Sequence, residues 1–579
     1  MITARLKTDD PNLVELRFPY SPSLVELVKS LPSRKWDNNA KCWVIPLVGL
    51  NSLVKMRNLK VTMHQNILDR VDKRKKQLAE IQAVKEKSDS AIVIPQLKLE
   101  LKPFQKVGVE FLDVVQRGIL AFDTGLGKSV TAIAQILRMI DAGIVTSQKK
   151  VLILSLASVK RSWHDEFEKF TNEKPVFIGM DYTTKKELKK ADRLAFYNSK
   201  EFNEAKIVCI NFELMLRDIA ILKEIPFVAV FIDEAQKIKG IQSKTTNTIK
   251  EYLSTPYRYL LTASPMENGL EELWSLIDYV EPSIFGNYWQ FRDEFLEIGY
   301  FKEITGYKNI DKFKQKLGQV MYRKNKKEVL KDLPPITEDY IYVPMTKEQR
   351  EGYDALRKKG FAEMKEKLAK LGDRAAQEGK GSVMTSILAL NRYCDFPKLT
   401  DPNSEHGSCK ADECVRILKD LYEQKRKVII FNKWTKSIAM LKEKIQKEIP
   451  QLTVHEYHGD CKATREDAKA AFLGSDHNSI LIMSTAGSVG LNLQKADVMI
   501  NYNRLYNPLA QYQAISRIYR MGQLNPVNII NITVENSVED KILEILKTKK
   551  ELFDNVVEDQ EFFDELENLS SDELKSLLE

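Results

Sequence analysis

The sequence predicts an α/β protein of two lobes, each a parallel sheet covered by helices on both faces. Helical insertions lie between the lobes, and a small N-terminal accessory domain precedes them. Three observations predict this class. From residue 119 onward, short apolar runs rich in β-branched residues alternate with helical patterns, as strands buried on both faces do. These runs fall into two sets, one within residues 119–263 and the other within 428–533. The chain of 579 residues accommodates three to four domains at roughly 150 residues each. Its 43% hydrophobic and 29% charged residues suit a globular protein and exclude a disordered or collagen-like one.

Residues 1–65 read as a small module. In it Arg34-Lys-Trp-Asp-Asn-Asn-Ala-Lys-Cys-Trp43 sets a turn cluster between two aromatic residues, the pattern of a hairpin. Residues 66–94 read as a charged helical connector, and 95–283 as the first lobe with strands at Ile119–Phe122, Val151–Leu156, Ile207–Ile210, Val228–Ile232 and Tyr259–Ala263. After Gly127, the spacing of Val130, Ile133, Ala134, Leu137 and Ile140 predicts one apolar helical face. Residues 284–405, rich in Lys and Glu, read as helical insertions and an interlobe linker. The second lobe spans 406–550, with strands at Val428–Phe431, Thr453–Tyr457, Ile480–Ser484, Val498–Tyr502 and Val527–Thr533.

Residues 551–579 form an acidic tail with eleven Asp/Glu against one Lys, a local charge of −10, so the rest of the chain carries +18. A basic body with an acidic tail suits a nucleic-acid binder; a lysine-rich solvated surface would give the same number. No apolar run approaches the roughly 18 residues of a membrane span, so no membrane partner is expected. The first ten residues hold no apolar core or cleavage site, and six cysteines in so long a chain do not make a disulfide framework. A cytoplasmic location is expected, or a nuclear one in a eukaryotic host.

The most informative segment is Phe122-Asp-Thr-Gly-Leu-Gly-Lys-Ser129, between an expected strand and an expected helix. Glycines there let backbone N–H groups and the helix N-terminus cradle phosphates, with Lys128 on the terminal phosphates and the Ser129 hydroxyl on Mg²⁺. Phe122 occupies the first glycine position of the GxxxxGK[ST] pattern, so the match is incomplete, and a plain glycine-rich strand–helix turn is the alternative. About a hundred residues later, Asp233 and Glu234 end an apolar strand. Carboxylates there are costly unless a cation or a proton-transfer role compensates them: Asp233 for Mg²⁺ through water, Glu234 to activate the attacking water. A helix N-cap with an acidic first turn is the alternative. Arg517 and Arg520, three apart in Gln513–Gln523, share a helical face and are candidates for stabilising a γ-phosphate transition state; alone, such a pair is more often a surface ion-pair face.

In their order these elements resemble superfamily-two helicases, and in detail the Swi/Snf-type double-stranded DNA translocases. Leu101–Val109 with Gln105 is similar to the family's adenine-reading glutamine motif, and Asp123–Ser129 to its motif I. Leu154–Phe170 with Trp163 and Glu166 resembles motif Ia. Leu261-Thr-Ala-Ser-Pro265 with Asn268 and Glu272–Leu276 resembles motif III and its extension. Tyr322–Pro334, Leu390–Pro397, Tyr457-His-Gly459, Ser484–Leu493 and Asn507-Pro508 follow in the family's order, over roughly residues 97–548. Gln236 stands where the family usually has His, Ala263-Ser264 where it has Gly-Thr, and Asn503 where Asp is common. Gln236 can still donate and accept hydrogen bonds across the cleft, so coupling is expected to survive.

The resemblance implies two RecA-like lobes with ATP between them. Thr124, Gly125, Leu126, Gly127, Lys128, Ser129 and Gly490 would touch nucleotide and Gln105 would read adenine. Asp233 and Ser129 would hold Mg²⁺, and Glu234, Gln236, Arg517 and Arg520 would serve hydrolysis. Trp163, Ser484 and Thr485 are the candidate DNA-backbone contacts. Phe18–Pro22, Trp36-Asp37 and Trp43–Pro46 are similar to the HARP module of annealing helicases. Arg34, Lys35, Trp36 and Trp43 would then contact branched DNA by stacking and phosphate binding, unless both tryptophans are core residues of the module. The expected activity is that of an ATP-dependent motor on double-stranded or branched DNA, remodelling forks, migrating branches or annealing strands. Two rivals are an ATP-driven remodeller of protein–nucleic-acid complexes and a binding module with a dead ATPase. The acidic tail is a candidate contact for a protein partner or for the enzyme's own basic surface. Cys394, Cys409 and Cys414, with His406 near, offer one Cys-x₄-Cys pair with no matching second pair and read as unligated thiols.

Overall fold

The computed structural model describes residues 2–7, 13–31, 34–46, 50, 61–181, 186–266, 269–299, 304–329, 333–371, 375–461, 465–484, 493–503, 511, 514–520 and 522–544. The chain divides into two compact units: residues 1–123 with 127–329, and residues 330–579 with 124–126. Among the described residues no helix is long and apolar enough to cross a membrane.

The first unit opens with a five-stranded sheet in the order Lys35–Asp37, Cys42–Pro46, Leu13–Arg17, Ile2–Leu6, Val61–Met63. Alternation puts Ile2, Ala4, Val14, Leu16 and Ile45 on one face, where they pack with Val28, Leu31 and Ile67. The expected hairpin forms, with Trp36 opposite Trp43 in its ladder. The helix Gln65–Lys85 carries Ile67 into this small core and continues along the rest of the unit, where Gln77 donates to the Val114 carbonyl and Lys85 to that of Gly318.

Among the described residues, the main sheet of the first unit has seven parallel strands in the order Met321–Lys324, Arg117–Phe122, Tyr257–Leu261, Phe227–Asp233, Lys150–Ser155, Ile207–Asn211, Val176–Phe177. The sheet of the second unit has six among the described residues, also parallel: Ile336–Val343, Val527–Val534, Val498–Asn501, Val428–Phe431, Ser479–Met483, Thr453–Tyr457. Central strands are buried along their whole length, as continuous apolar runs require.

The stretch 284–405 departs from its helical expectation. Long helices do occupy Lys347–Leu371 and Ala375–Asp395. Met321–Lys324, however, is an edge strand of the first sheet, Ile336–Val343 an edge strand of the second, and Leu296–Ile298 pairs with Ile304–Tyr307 as a hairpin. Edge strands are solvated on one side, so Ile336-Thr-Glu-Asp-Tyr-Ile-Tyr-Val343 tolerates the acidic residues that hid it.

A buried ion cluster ties the second unit together. Lys410, with no exposure, contacts Glu539 at 2.5 Å and Asp395 at 3.6 Å. Burial pushes the Asp395 carboxyl up to about 7 although Lys410 opposes it. Cys394, Cys409 and Cys414 all lie in the same core, and burial raises their thiols.

Candidate active site

In a parallel sheet every strand ends at the same edge, and ligands gather there. The Arg117–Phe122 strand ends in Phe122, whose fully buried ring contacts Phe104 and Tyr322. This accounts for the missing first glycine: position 122 still belongs to the strand. The loop turns only at Gly125 and Gly127, with φ of 82° and 81°, where a side chain would be strained. A Cβ at Gly127 would also meet the Gln105 amide nitrogen, and Val130 at 2.9 Å.

Lys128 begins the helix Lys128–Asp141, whose N-terminus no side chain caps. Its Nζ donates to the Phe122 and Asp123 carbonyls at 3.0 and 3.4 Å, across the mouth of the loop. Ser129 follows, half-buried. The Thr124 hydroxyl is buried and has no hydrogen-bond partner among the described residues. An uncapped helix end, a glycine cradle and an orphaned hydroxyl fit a bound phosphate chain. Gln105 is buried beside Gly127, and its Oε1 accepts from the Lys102 N–H.

Asp233 and Glu234 close the Phe227–Asp233 strand, separated from Arg117–Phe122 by the single strand Tyr257–Leu261. Glu234 sits in the left-handed region (φ 52°, ψ 55°), unusual for a residue with a Cβ and typical of a functional strand end. Asp233 is buried; burial and then Glu234 push its carboxyl up to about 6, against the opposing pull of Trp163 and Lys128. A buried carboxylate held this far above its usual range would gain from a cation, and the oxygen chemistry of Asp233 and the Ser129 hydroxyl would suit Mg²⁺.

Three neutral side chains steer this pair. Trp163 donates its indole N–H to Asp233 Oδ2 at 2.9 Å. Gln236 donates to Glu234 Oε2 at 2.7 Å and accepts from the Thr262 hydroxyl at 3.1 Å, which in turn accepts from the Ser264 N–H. The Gln236 amide therefore donates and accepts within the first unit, joining the strand-end carboxylate to the Leu261–Pro265 turn.

Several expected site residues are placed differently. Trp163 is 1% exposed and faces Asp233 instead of solvent; its helix, Lys160–Phe170, exposes Asp165, Glu168 and Lys169, a face of mixed charge. Ser484 is 5% exposed with its N–H bonded to the Tyr457 carbonyl, so its side chain is not presented for backbone contact. Arg517 lies in a turn and Arg520 in a bend just after a short helical stretch: the Arg517 and Ile518 N–H groups bond three residues back, to Ala514 and Ile515, and the Tyr519 N–H four back, to Ile515. Asn268, Thr485, Gly490, Asn507-Pro508 and the tail 551–579 lie outside the described residues.

Other departures from the family pattern find a physical account. Asn503 donates to Asp395 Oδ1 at 2.5 Å; an aspartate there would set two carboxylates against each other. In the N-terminal hairpin Arg34, Lys35 and Trp36 are exposed, whereas Trp43 is half-buried against the module core with its ring 5.4 Å from that of Trp36. The sequence did not distinguish those two tryptophans, and it named Thr262 only as part of Leu261–Pro265, without a partner for its hydroxyl.

The SNF2-related domain family matches residues 53–399, and the helicase conserved C-terminal domain matches 409–522. An uncharacterized ATP-dependent helicase of Mycoplasma genitalium is 30% identical over 486 residues, which is 83% of this chain and 44% of the relative. The SWI/SNF chromatin-remodeling complex subunit snf22 of Schizosaccharomyces pombe is 28% identical over 517 residues, 83% of this chain and 29% of the relative. A solved Sulfolobus solfataricus SWI2/SNF2 ATPase core in complex with dsDNA is 24% identical, covers 84% of this chain and 99% of its own, and has a TM-score of 0.38. The chain spans less than half the length of these named helicase and remodelling relatives. With one family model over more than half of its residues and the second directly after it, the chain belongs to the Swi/Snf-type, SNF2-related family of superfamily-two helicases.

Proposed function

We propose that the protein is a DNA-dependent ATPase that moves along duplex or branched DNA, remodelling forks, migrating branches or annealing strands. The observation that carries this reading is the meeting, at one sheet edge, of the Gly125–Gly127 loop and Lys128 with the Asp233–Glu234 pair, in a chain of the SNF2-related family. ATP with Mg²⁺ supplies an electrophilic phosphorus and a charge sink for the leaving group. Lys128 binds the terminal phosphates, and the loop N–H groups from Thr124 to Ser129 hold the chain of oxygens. Ser129 and Asp233 hold Mg²⁺, and Gln105 meets the base. Glu234 takes the proton of the attacking water while Gln236 fixes its orientation, and Arg517 and Arg520 neutralise the charge that develops in the transition state.

The track is read from charge and surface. A body of +18 favours phosphate contact, and such contact is insensitive to sequence and steep in salt. Trp36, 44% exposed and flanked by Arg34 and Lys35, offers a stacking surface for unpaired bases at a junction, the part that a HARP-like module would play. A second reading, remodelling of a protein–DNA complex with the acidic tail as protein contact, is favoured by the chromatin-remodelling relative.

The test is the ATPase rate without nucleic acid and with single-stranded, linear duplex or forked DNA or RNA, at matched nucleotide concentration, with Lys128→Ala as the hydrolysis control. Forks stimulating most, with the excess over linear duplex lost in Trp36→Ala/Lys35→Ala, is the expected result. Equal stimulation by forks and linear duplex turns attention to a protein target. Stimulation by RNA alone refutes the DNA track, and wild type no faster than Lys128→Ala refutes the ATPase.

A further inference from the structure

Asp233 carries the strongest constraint at the site. Oδ1 accepts from the Glu234 N–H at 3.0 Å and Oδ2 from the Trp163 indole at 2.9 Å. A carboxylate oxygen has two lone-pair sites, so one on each oxygen remains for a cation or its water. The rotamer is fixed from both sides.

The Trp163 donor is itself held firmly. The residue is 1% exposed, and its ring lies 6.1 Å from that of Phe167, a helical turn later. The helix is anchored at its first residue, Lys160, whose buried ammonium donates to the Ile178 carbonyl at 2.7 Å and to Asn211 Oδ1 at 3.4 Å. The Lys150–Ser155 strand, which leads into this helix, pairs with Phe227–Asp233. Sheet order thereby brings a side chain 70 positions earlier in sequence to the strand end.

The chemistry of the donor also matters. An indole N–H donates and never accepts, so it orients a carboxylate without competing for the cation. It is neutral, so the negative charge on Asp233 stays available. A lysine or arginine in its place would hold the carboxylate equally well and cancel that charge.

We propose that Trp163 is a positioning residue for the divalent cation, its indole N–H fixing Asp233 in the orientation from which that carboxylate holds the metal of a bound nucleotide. This rests on the ATP–Mg²⁺ reading of the site. Partners that orient a metal-binding side chain typically contribute about 10- to 100-fold to metal affinity, and a loss of that size is expected on removing the N–H.

The experiment measures binding of a fluorescent, non-hydrolysable ATP analogue to the full chain, in EDTA and across a Mg²⁺ titration. It compares wild type, Trp163→Phe and Phe167→Leu. The last disturbs the same aromatic contact without touching Asp233. Trp163→Phe is expected to bind the analogue normally in EDTA but to need at least tenfold more Mg²⁺ for the metal-dependent gain, with Phe167→Leu close to wild type. Should Trp163→Phe not fold, replacement of Trp163 by benzothienylalanine, which keeps the ring size and exchanges the N–H for sulfur, takes its place. An unchanged Mg²⁺ requirement in the variant, or an equal loss in Phe167→Leu, overturns the inference alone. A wild-type chain that binds the analogue in neither condition overturns the ATPase reading beneath it.

Discussion

Gly127→Ala tests the phosphate loop most directly. With φ at 81°, alanine there would be held in the left-handed region, at a cost of about 1–2 kcal/mol. The new Cβ would also collide with the Gln105 amide and sit 2.9 Å from a Val130 methyl carbon; overpacking of this kind costs about 1–3 kcal/mol. The helix behind the loop is pinned by Ile133, Ile136 and Leu137, all essentially buried. Relief therefore comes from the loop leaving its phosphate-binding shape. The combined cost, about 2–5 kcal/mol, should emerge as roughly 30- to 5,000-fold weaker nucleotide binding, at about 1.4 kcal/mol per tenfold. Fluorescent ADP titration measures this, with Gly143→Ala as control. Gly143 also has positive φ, 68°, but nothing lies within 4 Å of its added Cβ, so that variant should lose only a little thermal stability and no affinity. Gly127→Ala binding ADP within threefold of wild type would refute the cradle.

Gln236→Ala removes a hydrogen bond to a charged oxygen and frees Thr262; steady-state ATPase assays should show kcat about 10- to 100-fold lower, with KM for ATP within threefold. Asp233, raised to about 6 from 3.8, is disfavoured as a carboxylate by folding. Stability should fall as pH rises from about 4 to 6, by about 3 kcal/mol in total. In EDTA, the fall in melting temperature from pH 4 to pH 8 should therefore be smaller for Asp233→Asn than for wild type, whatever the variant loses at all pH values by keeping only one acceptor for the Glu234 and Trp163 N–H groups; an equal fall contradicts this sign. Lys410→Met leaves Asp395 and Glu539 buried without their cation and should cost about 3–5 kcal/mol in urea unfolding. Lys87→Met, at the exposed pair with Glu110, should cost under about 1 kcal/mol.

What was legible in the sequence follows from burial. Strands such as Val151–Leu156 and Val428–Phe431 are covered on both faces, so their composition announces them. The edge strands Met321–Lys324 and Ile336–Val343 carry Arg, Lys, Glu and Asp, a composition that does not separate them from the helical segments around them. Val176–Phe177, two residues long, leaves no pattern at all. At the site, the sequence marks the loop glycines, Lys128 and the Asp233–Glu234 pair as candidates through local spacing, and the structure brings Lys128 and the Asp233–Glu234 pair to one sheet edge. Trp163 stands out in sequence as a motif residue, but its partner Asp233 does not, because that partner is set by which strands are neighbours in the sheet. For the same reason, nothing near Phe122 in sequence shows that its ring packs on Tyr322, which stands on the adjacent strand.

The edge strand Ile336–Val343 has one neighbour, Val527–Val534, and their contact Glu338–Asn531 spans 193 residues. On a ribosome adding 5–20 residues per second, the first of these strands waits roughly 10–40 s for the second. Throughout that interval Ile336, Tyr340 and Tyr342, which stay partly exposed even in the finished fold, sit on a strand with no partner on either side. The first unit, whose last strand ends at Lys324, can close while synthesis continues. The second is a nascent chain with a sticky edge until its final strand emerges, which makes it the half of the molecule that holding chaperones would be expected to meet.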